Sequence, residues 1–433
     1  MKRIICASLG LTVIGCAPIP TQSADARPPL AIGAGYLVGT SAELALPGGW
    51  DQQPVMPAMR FVQPPAGIGP EAMVTLRALP GVRFVEPNRR LSLVRPLSSA
   101  AWSAQAATTP AEPVVGWNMT LASFNRAWKL LHIPRPVKVA VIDSGVDVTH
   151  PDLAQNTLAE IDVWQEVHGT DRFRFGTRIY VTDGKDGNGH GTHVAGILAA
   201  SAGAGSGGTV QILPIKATDY RGETDALTLY RGIQRALTEG CKVINMSIGG
   251  PQNIANEDAD VESLRTAVAE VFAKGVLIVA ATGNQAAQSR RQVSPVDLPA
   301  AFPGTIAVAA VTQFDRVATY SNGGPEVDVA APGGAGNARE GAKIRSTLPT
   351  YPAFMTLSEK ITDTYGNLQG TSMASPHVAG LAALLLAQEP TLTPSQVCRR
   401  ISLTCDDIGA PGWDQDTGFG RINAYRALTE RVE

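Results

Sequence analysis

From about residue 136 onward, short apolar runs alternate with longer stretches in which apolar positions recur at helical spacing. Pro136–Ile142 is a near-continuous apolar run that opens on proline, the pattern of a strand covered on both faces. Gln211–Lys216, Lys242–Met246, Val276–Ala281, Ile306–Ala310 and Val327–Pro332 read as further strands. Between them, Leu227–Glu239 and Val261–Lys274 carry a helical pattern and end at Gly240 and Gly275. This rhythm predicts an α/β domain: a doubly wound, mostly parallel sheet with helices on both faces. Ala374–Leu386 is apolar almost all round, so that helix is expected inside the protein. A second apolar helix is expected to start at the glycine-rich loop before Ile197. Arg172–Phe175 and Arg178–Val181 alternate and predict a surface hairpin.

Ahead of this domain the pattern changes. Residues 36–94 read as a small α+β module. Gly35–Gly39 is a strand, Glu71–Leu79 a short amphipathic helix, and Pro80–Asn88 a turn followed by a strand. Leu46–Pro70, rich in proline and glycine, interrupts the pattern. Pro96–Pro113 is an Ala/Ser/Thr/Pro linker, where a maturation cut is expected. Pro18–Pro29 is a tether without periodicity. At the start, Lys2 and Arg3 precede the apolar stretch Ile4–Gly15, a signal-peptide core too short to span a bilayer. The expected division is signal 1–16, tether and module 17–95, linker 96–114 and main domain 115–433. Val13-Ile-Gly-Cys16 resembles the bacterial lipobox, which implies acylation of Cys16 and a firm membrane anchor. An ordinary signal peptide cut near Ala24–Ala26, with Cys16 incidental, is the other reading.

Composition narrows the function. The 433 residues carry a net charge of −2 with 17% charged side chains and no basic block, which argues against a nucleic-acid partner. Of five cysteines, Cys6 leaves with the signal, Cys398 and Cys405 are placed to bridge in an exported protein, and Cys241 reads as a small buried hydrophobe. Three polar residues sit in glycine-flanked phrases. Asp143 ends the strand Pro136–Ile142, where open α/β sheets place their sites, although alone it would read as a turn cap. His190 and His193 lie in Asp186-Gly-Asn-Gly-His-Gly-Thr-His-Val-Ala-Gly196, without the glutamate of a metalloprotease helix or a third ligand. Ser372 lies in Gly370-Thr-Ser-Met-Ala-Ser-Pro-His-Val-Ala-Gly380 at the mouth of a buried helix, where alone it would read as an N-cap. A serine hydroxyl becomes a nucleophile when an imidazole takes its proton, and the imidazole needs a carboxylate to orient it.

The order Asp143, His190, Ser372 in these contexts resembles the subtilisin-like serine proteases over about Val137–Ala424. The resemblance implies that Asp143 orients, His190 is general base and acid, and Ser372 attacks the peptide carbonyl. Asn284 and the Ser372 N–H would form the oxyanion hole. Ser247, Ile248 and Gly249 would pair with extended substrate and line the primary pocket with Ala281, Thr282 and Gly283. Thr282 stands where the family usually has alanine. Pro80–Asn88 resembles the end of the family's inhibitory propeptide, which packs a sheet on the enzyme and lays its tail in the cleft; a generic small domain is the other reading. No cofactor is required. Calcium lacks support, because Ser201–Gly208 does not carry the family's calcium-loop residues and Asp183, Asp186 and Asn188 read as a solvated turn. The expected partners are polypeptide substrates, the protein's own propeptide and, through lipid, a membrane of the bacterial cell envelope. Two other classes fit the sequence less well. A catalytically silent surface lipoprotein is disfavoured because all four catalytic positions are filled. A serine esterase would need a Gly-x-Ser-x-Gly elbow at Ser372.

Overall fold

The computed structural model describes residues 31, 34–69, 71–94, 116–130, 136–200, 210–250, 262–286, 294–335 and 342–431. Cys6, Cys16, the signal segment and residues 95–115, which contain the linker 96–114, lie outside the described residues.

The N-terminal module comprises β1 (Tyr36–Gly39), β2 (Asp51–Met56), β3 (Met59–Gln63), α1 (Glu71–Arg77) and β4 (Phe84–Pro87). Its antiparallel sheet runs β2-β3-β1-β4. The proline- and glycine-rich stretch thus contains a hairpin, and Pro54 is tolerated because β2 is an edge strand with an irregularity between Pro54 and Met56. The next strand, β5 (Arg90–Leu93), leaves this sheet and joins the main domain.

The main domain continues through α2 (Trp117–Leu121), α3 (Phe124–Ala127), β6 (Val137–Asp143), β7 (Ile161–Asp162), α4 (Val163–His168) and the hairpin β8 (Arg172–Phe175) and β9 (Arg178–Val181). Then come α5 (His190–Ala199), β10 (Val210–Lys216), β11 (Glu223–Asp225), α6 (Ala226–Thr238), β12 (Val243–Met246) and β13 (Ile248–Gly249). After these follow α7 (Glu262–Ala273), β14 (Leu277–Ala281), β15 (Thr305–Val311), β16 (Val329–Pro332), β17 (Ile344–Thr347), α8 (Phe354–Ser358) and β18 (Tyr365–Leu368). The chain ends with α9 (Thr371–Gln388), α10 (Pro394–Leu403) and α11 (Ala424–Thr429).

Seven parallel strands form the central sheet in the order β16-β15-β14-β12-β6-β10-β7. Side chains alternate across it. In β6, Val139 and Val141 enter one core with α5 and α9, while Ala140 and Ile142 enter the other with α6 and α7. Every residue from Thr371 to Leu386 of α9 is buried, which explains its lack of a polar face. Among the described residues no helix is long and apolar enough to cross a membrane.

Two features depart from expectation. Cys398 and Cys405 are free thiols. Cys398 lies within α10 and Cys405 just past its end, a separation of about 10 Å along a helix axis, whereas a disulfide needs α-carbons within about 7 Å. The apolar pattern also does not predict α10 or the β17–β18 hairpin. The signal for α10 lies in its cap instead, where Thr393 and Gln396 form a capping box with Pro394 at the first turn.

Candidate active site

Asp143 is the last residue of β6, fully buried where the chain leaves the carboxyl edge of the sheet. His190 is the first residue of α5. Its Nδ1–H donates to Asp143 Oδ1 at 2.8 Å, and the Ser144 N–H donates to the same oxygen at 2.8 Å. With its proton on Nδ1, the imidazole presents a lone pair at Nε2. That Nε2 is buried and has no hydrogen-bond partner among the described residues. Gly191 permits this approach: a Cβ there would stand 2.1 Å from the Gly145 carbonyl.

The loop before His190 is not a solvated turn. Asp186 is fully buried and caps α5. Its Oδ1 accepts from Ser144 Oγ and the N–H groups of Asn188 and Gly189, and its Oδ2 accepts from Thr192 N and Oγ1. Helix starts leave free N–H groups, and in a buried start a carboxylate satisfies them best. Burial still pushes the Asp186 pKa up against these donors. Asp183 accepts from Asp171 N, and Asn188 donates to the Tyr220 carbonyl. One turn on, His193 bonds through Nε2 to the carbonyls of Ile344 and Gly366, tying α5 to β17 and β18. Burial, with His190 adding to it, pulls its pKa down to about 3, so it is neutral and structural.

Ser372 is the second residue of α9, whose N-cap is Gly370. Pro376, lacking an N–H, cannot donate to the Ser372 carbonyl as a helix would require. The Ser247 hydroxyl fills that gap at 3.1 Å and is itself held by Asn245 Nδ2. Asn245 Oδ1 accepts from Ser375 Oγ at 2.7 Å, so a buried polar chain braces the start of α9. Nothing in the spacing of Asn245 announces this role. Asn284 follows β14, and its Oδ1 accepts from Thr371 N at 2.9 Å and Thr371 Oγ1 at 3.0 Å. The amide oxygen is thereby committed, which orients the NH2 end as the donor.

The cleft is occupied. β5 lies antiparallel between β13 and β11, with Ser92 opposite both Gly249 and Glu223. Val94 N donates to the Ser247 carbonyl at 3.0 Å, and Leu93 N to the Gly222 carbonyl at 2.8 Å. The Ser372 hydroxyl donates to the Val94 carbonyl at 2.6 Å. Ser247–Gly249 thus form one edge against β5. The second edge, Glu223–Asp225, was not singled out by any motif. Ala281 pairs with Val308 of β15, Thr282 N donates to the Val308 carbonyl while the Thr282 carbonyl accepts from Asp297 N, and the buried Thr282 hydroxyl has no partner among the described residues.

Comparison with known proteins agrees with this architecture. The profile of the subtilase family (peptidase S8) matches residues 135–420. The chain is 38% identical over 296 residues to the subtilisin of Bacillus pumilus, covering 67% of this chain and 90% of that one. It is 34% identical over 370 residues to a thermophilic serine proteinase of Bacillus sp. (strain AK1), covering 83% and 76%. Among solved structures, fervidolysin from Fervidobacterium pennivorans, a keratinolytic enzyme related to subtilisin, superposes with a TM-score of 0.67 at 25% identity, covering 94% of this chain and 65% of that one. A lanthipeptide protease superposes at 0.62 with 26% identity, covering 76% and 99%. The chain belongs to the subtilase family. Within it, the protein is a subtilisin-like serine endopeptidase.

Proposed function

We propose that Ser372 is the nucleophile, His190 its general base and acid, Asp143 the orienting carboxylate and Asn284 an oxyanion donor. We further propose that residues 34–94 are an inhibitory propeptide whose last residue, Val94, precedes the bond cut in maturation. The Val94 carbonyl on Ser372 Oγ carries this reading. In the reaction, Ser372 Oγ adds to the Val94 carbonyl carbon and its proton passes to His190 Nε2. The same proton then goes to the departing amine of Arg95, leaving an ester that water hydrolyses with His190 again as base. Rotation of the Ser372 side chain away from the carbonyl oxygen is the motion this requires. The primary pocket would be lined by Ser247, Ile248, Gly249, Ala281, Thr282 and Gly283, with polypeptides as substrates. Sequencing the mature N-terminus tests the cut. A chain beginning at Arg95 is expected, one residue ahead of the linker; a start inside 97–113 contradicts it.

The module's docking supports the inhibitory reading. Glu86 accepts from the N–H groups of Glu262 and Ser263 and from the Ser263 hydroxyl, capping α7. Asn88 accepts from Leu227 N and donates to Asp225, at the start of α6. Charge-assisted bonds of this buried kind contribute about 1.5–3 kcal/mol each. Glu86→Ala is therefore expected to raise the inhibition constant of the cleaved module by at least about ten-fold, read as a shortened lag before activity appears.

Export follows from the signal-like residues 1–16, and acylation of Cys16 would anchor the precursor in the cell envelope. A cut after Val94 then separates catalyst from anchor. Fragment 16–94 is expected with the membrane, and chain 95–433 in the soluble fraction once the module dissociates.

A further inference from the structure

A buried carboxylate that the catalytic chemistry leaves unused closes the primary pocket. The Val94 side chain marks that pocket, since its Cγ2 lies 3.2 Å from where a Cβ on Gly249 would stand. The Cβ of Asp297 lies 3.2 Å from the same point, so both side chains share the bare face of Gly249. On the opposite wall, a Cβ on Gly283 would stand 2.5 Å from Asp297 Oδ2. Asp297 therefore bridges the gap between the two walls named above. Its backbone is held from both sides: Asp297 N donates to the Thr282 carbonyl, and Leu298 exchanges hydrogen bonds with Gly250.

With Val94 in place, Asp297 is 2% exposed. Its Oδ2 accepts from Gln285 Nε2 at 3.0 Å, and Asn322 Nδ2 donates to Gln285 Oε1 at 2.6 Å, which fixes the amide with its donor toward the carboxylate. No cationic side chain pairs with it among the described residues. Burial pushes its pKa up to about 6, so at the pH of a neutral or mildly alkaline assay it is still largely ionised. Among the described residues this buried charge has one neutral donor and no counterion. Valine carries no charge to supply one, whereas arginine or lysine brings a cation several bonds into the pocket.

We propose that Asp297 makes this endopeptidase select arginine or lysine at the residue preceding the cleaved bond. The inference rests on Ser372 being the nucleophile, which fixes where that residue lies; the cut after Val94 is intramolecular, so tethering rather than pocket affinity presents its bond. The test uses processed enzyme and peptides identical except for arginine, lysine, leucine or phenylalanine at that position. Wild-type kcat/KM is expected to favour the cationic peptides by about ten-fold or more. The arginine-to-leucine ratio should fall at least about ten-fold in Asp297→Asn and recover toward wild type in Asp297→Glu. Two peptide aldehydes, one ending in argininal and one in leucinal, read the same pocket in wild-type enzyme without any variant. Tighter inhibition by the argininal supports the proposal; equal potency, or tighter inhibition by the leucinal, overturns it. Fluorophosphonate labelling of Ser372 is measured alongside. Labelling without cationic preference overturns the proposal alone, and absence of labelling removes the reading beneath it.

Discussion

Ser372→Ala should lose about 10⁶-fold in kcat, the loss known for the nucleophile of subtilisin, a relative of this chain. It should also accumulate as a precursor with the Val94–Arg95 bond intact. The substitution removes one hydroxyl whose hydrogen bond runs to Val94. The backbone carbonyl that Ser247 supports is untouched, and alanine suits a buried helix start. The variant should therefore fold, with wild-type circular dichroism and melting, and the loss can be assigned to chemistry. Normal processing in this variant, expressed alone, would mean that another protease makes the cut.

His190→Ala should lose a similar amount, and the double variant should be scarcely worse than either single one. In the proposed reaction the two side chains act on one proton, so removing either disables the same step. This variant also leaves the buried Asp143 carboxylate with the Ser144 N–H as its hydrogen-bond donor at Oδ1, so some loss of melting temperature is expected in addition. Steady-state kcat on a soluble peptide, measured well below the melting point, separates the two effects. Additive losses in the double variant would show that the residues work independently.

Much of this was legible in the residues because the information is local. Six of the seven strands of the central sheet are short apolar runs, the two-residue edge strand β7 being the exception, and each candidate functional side chain sits in a glycine-flanked phrase at an element's end. The parts that were not legible depend on distant contacts or on burial. Arg90–Leu93 is too short for a strong alternating signal, and its partners at Glu223–Asp225 and Ile248–Gly249 lie far along the chain. Asp186 sits in a polar, glycine-rich phrase that reads as exposed, yet the loop folds inward and the carboxylate caps a buried helix. Pro376 carries a local signal of its own. Its missing N–H deprives Ser372, four residues earlier, of a helical partner, and a polar group was needed to replace it. The Cys398–Cys405 bridge failed for a reason also local, since the spacing that looks like a short loop is two turns of helix.

The most direct measurement is the mass of the peptide carrying an alkyl fluorophosphonate after reaction with the processed enzyme. The adduct is expected on Ser372, at a rate that collapses in His190→Ala. An adduct on any other residue, or labelling of Ser372 at the wild-type rate without His190, would contradict the proposal that these side chains form one proton-passing unit.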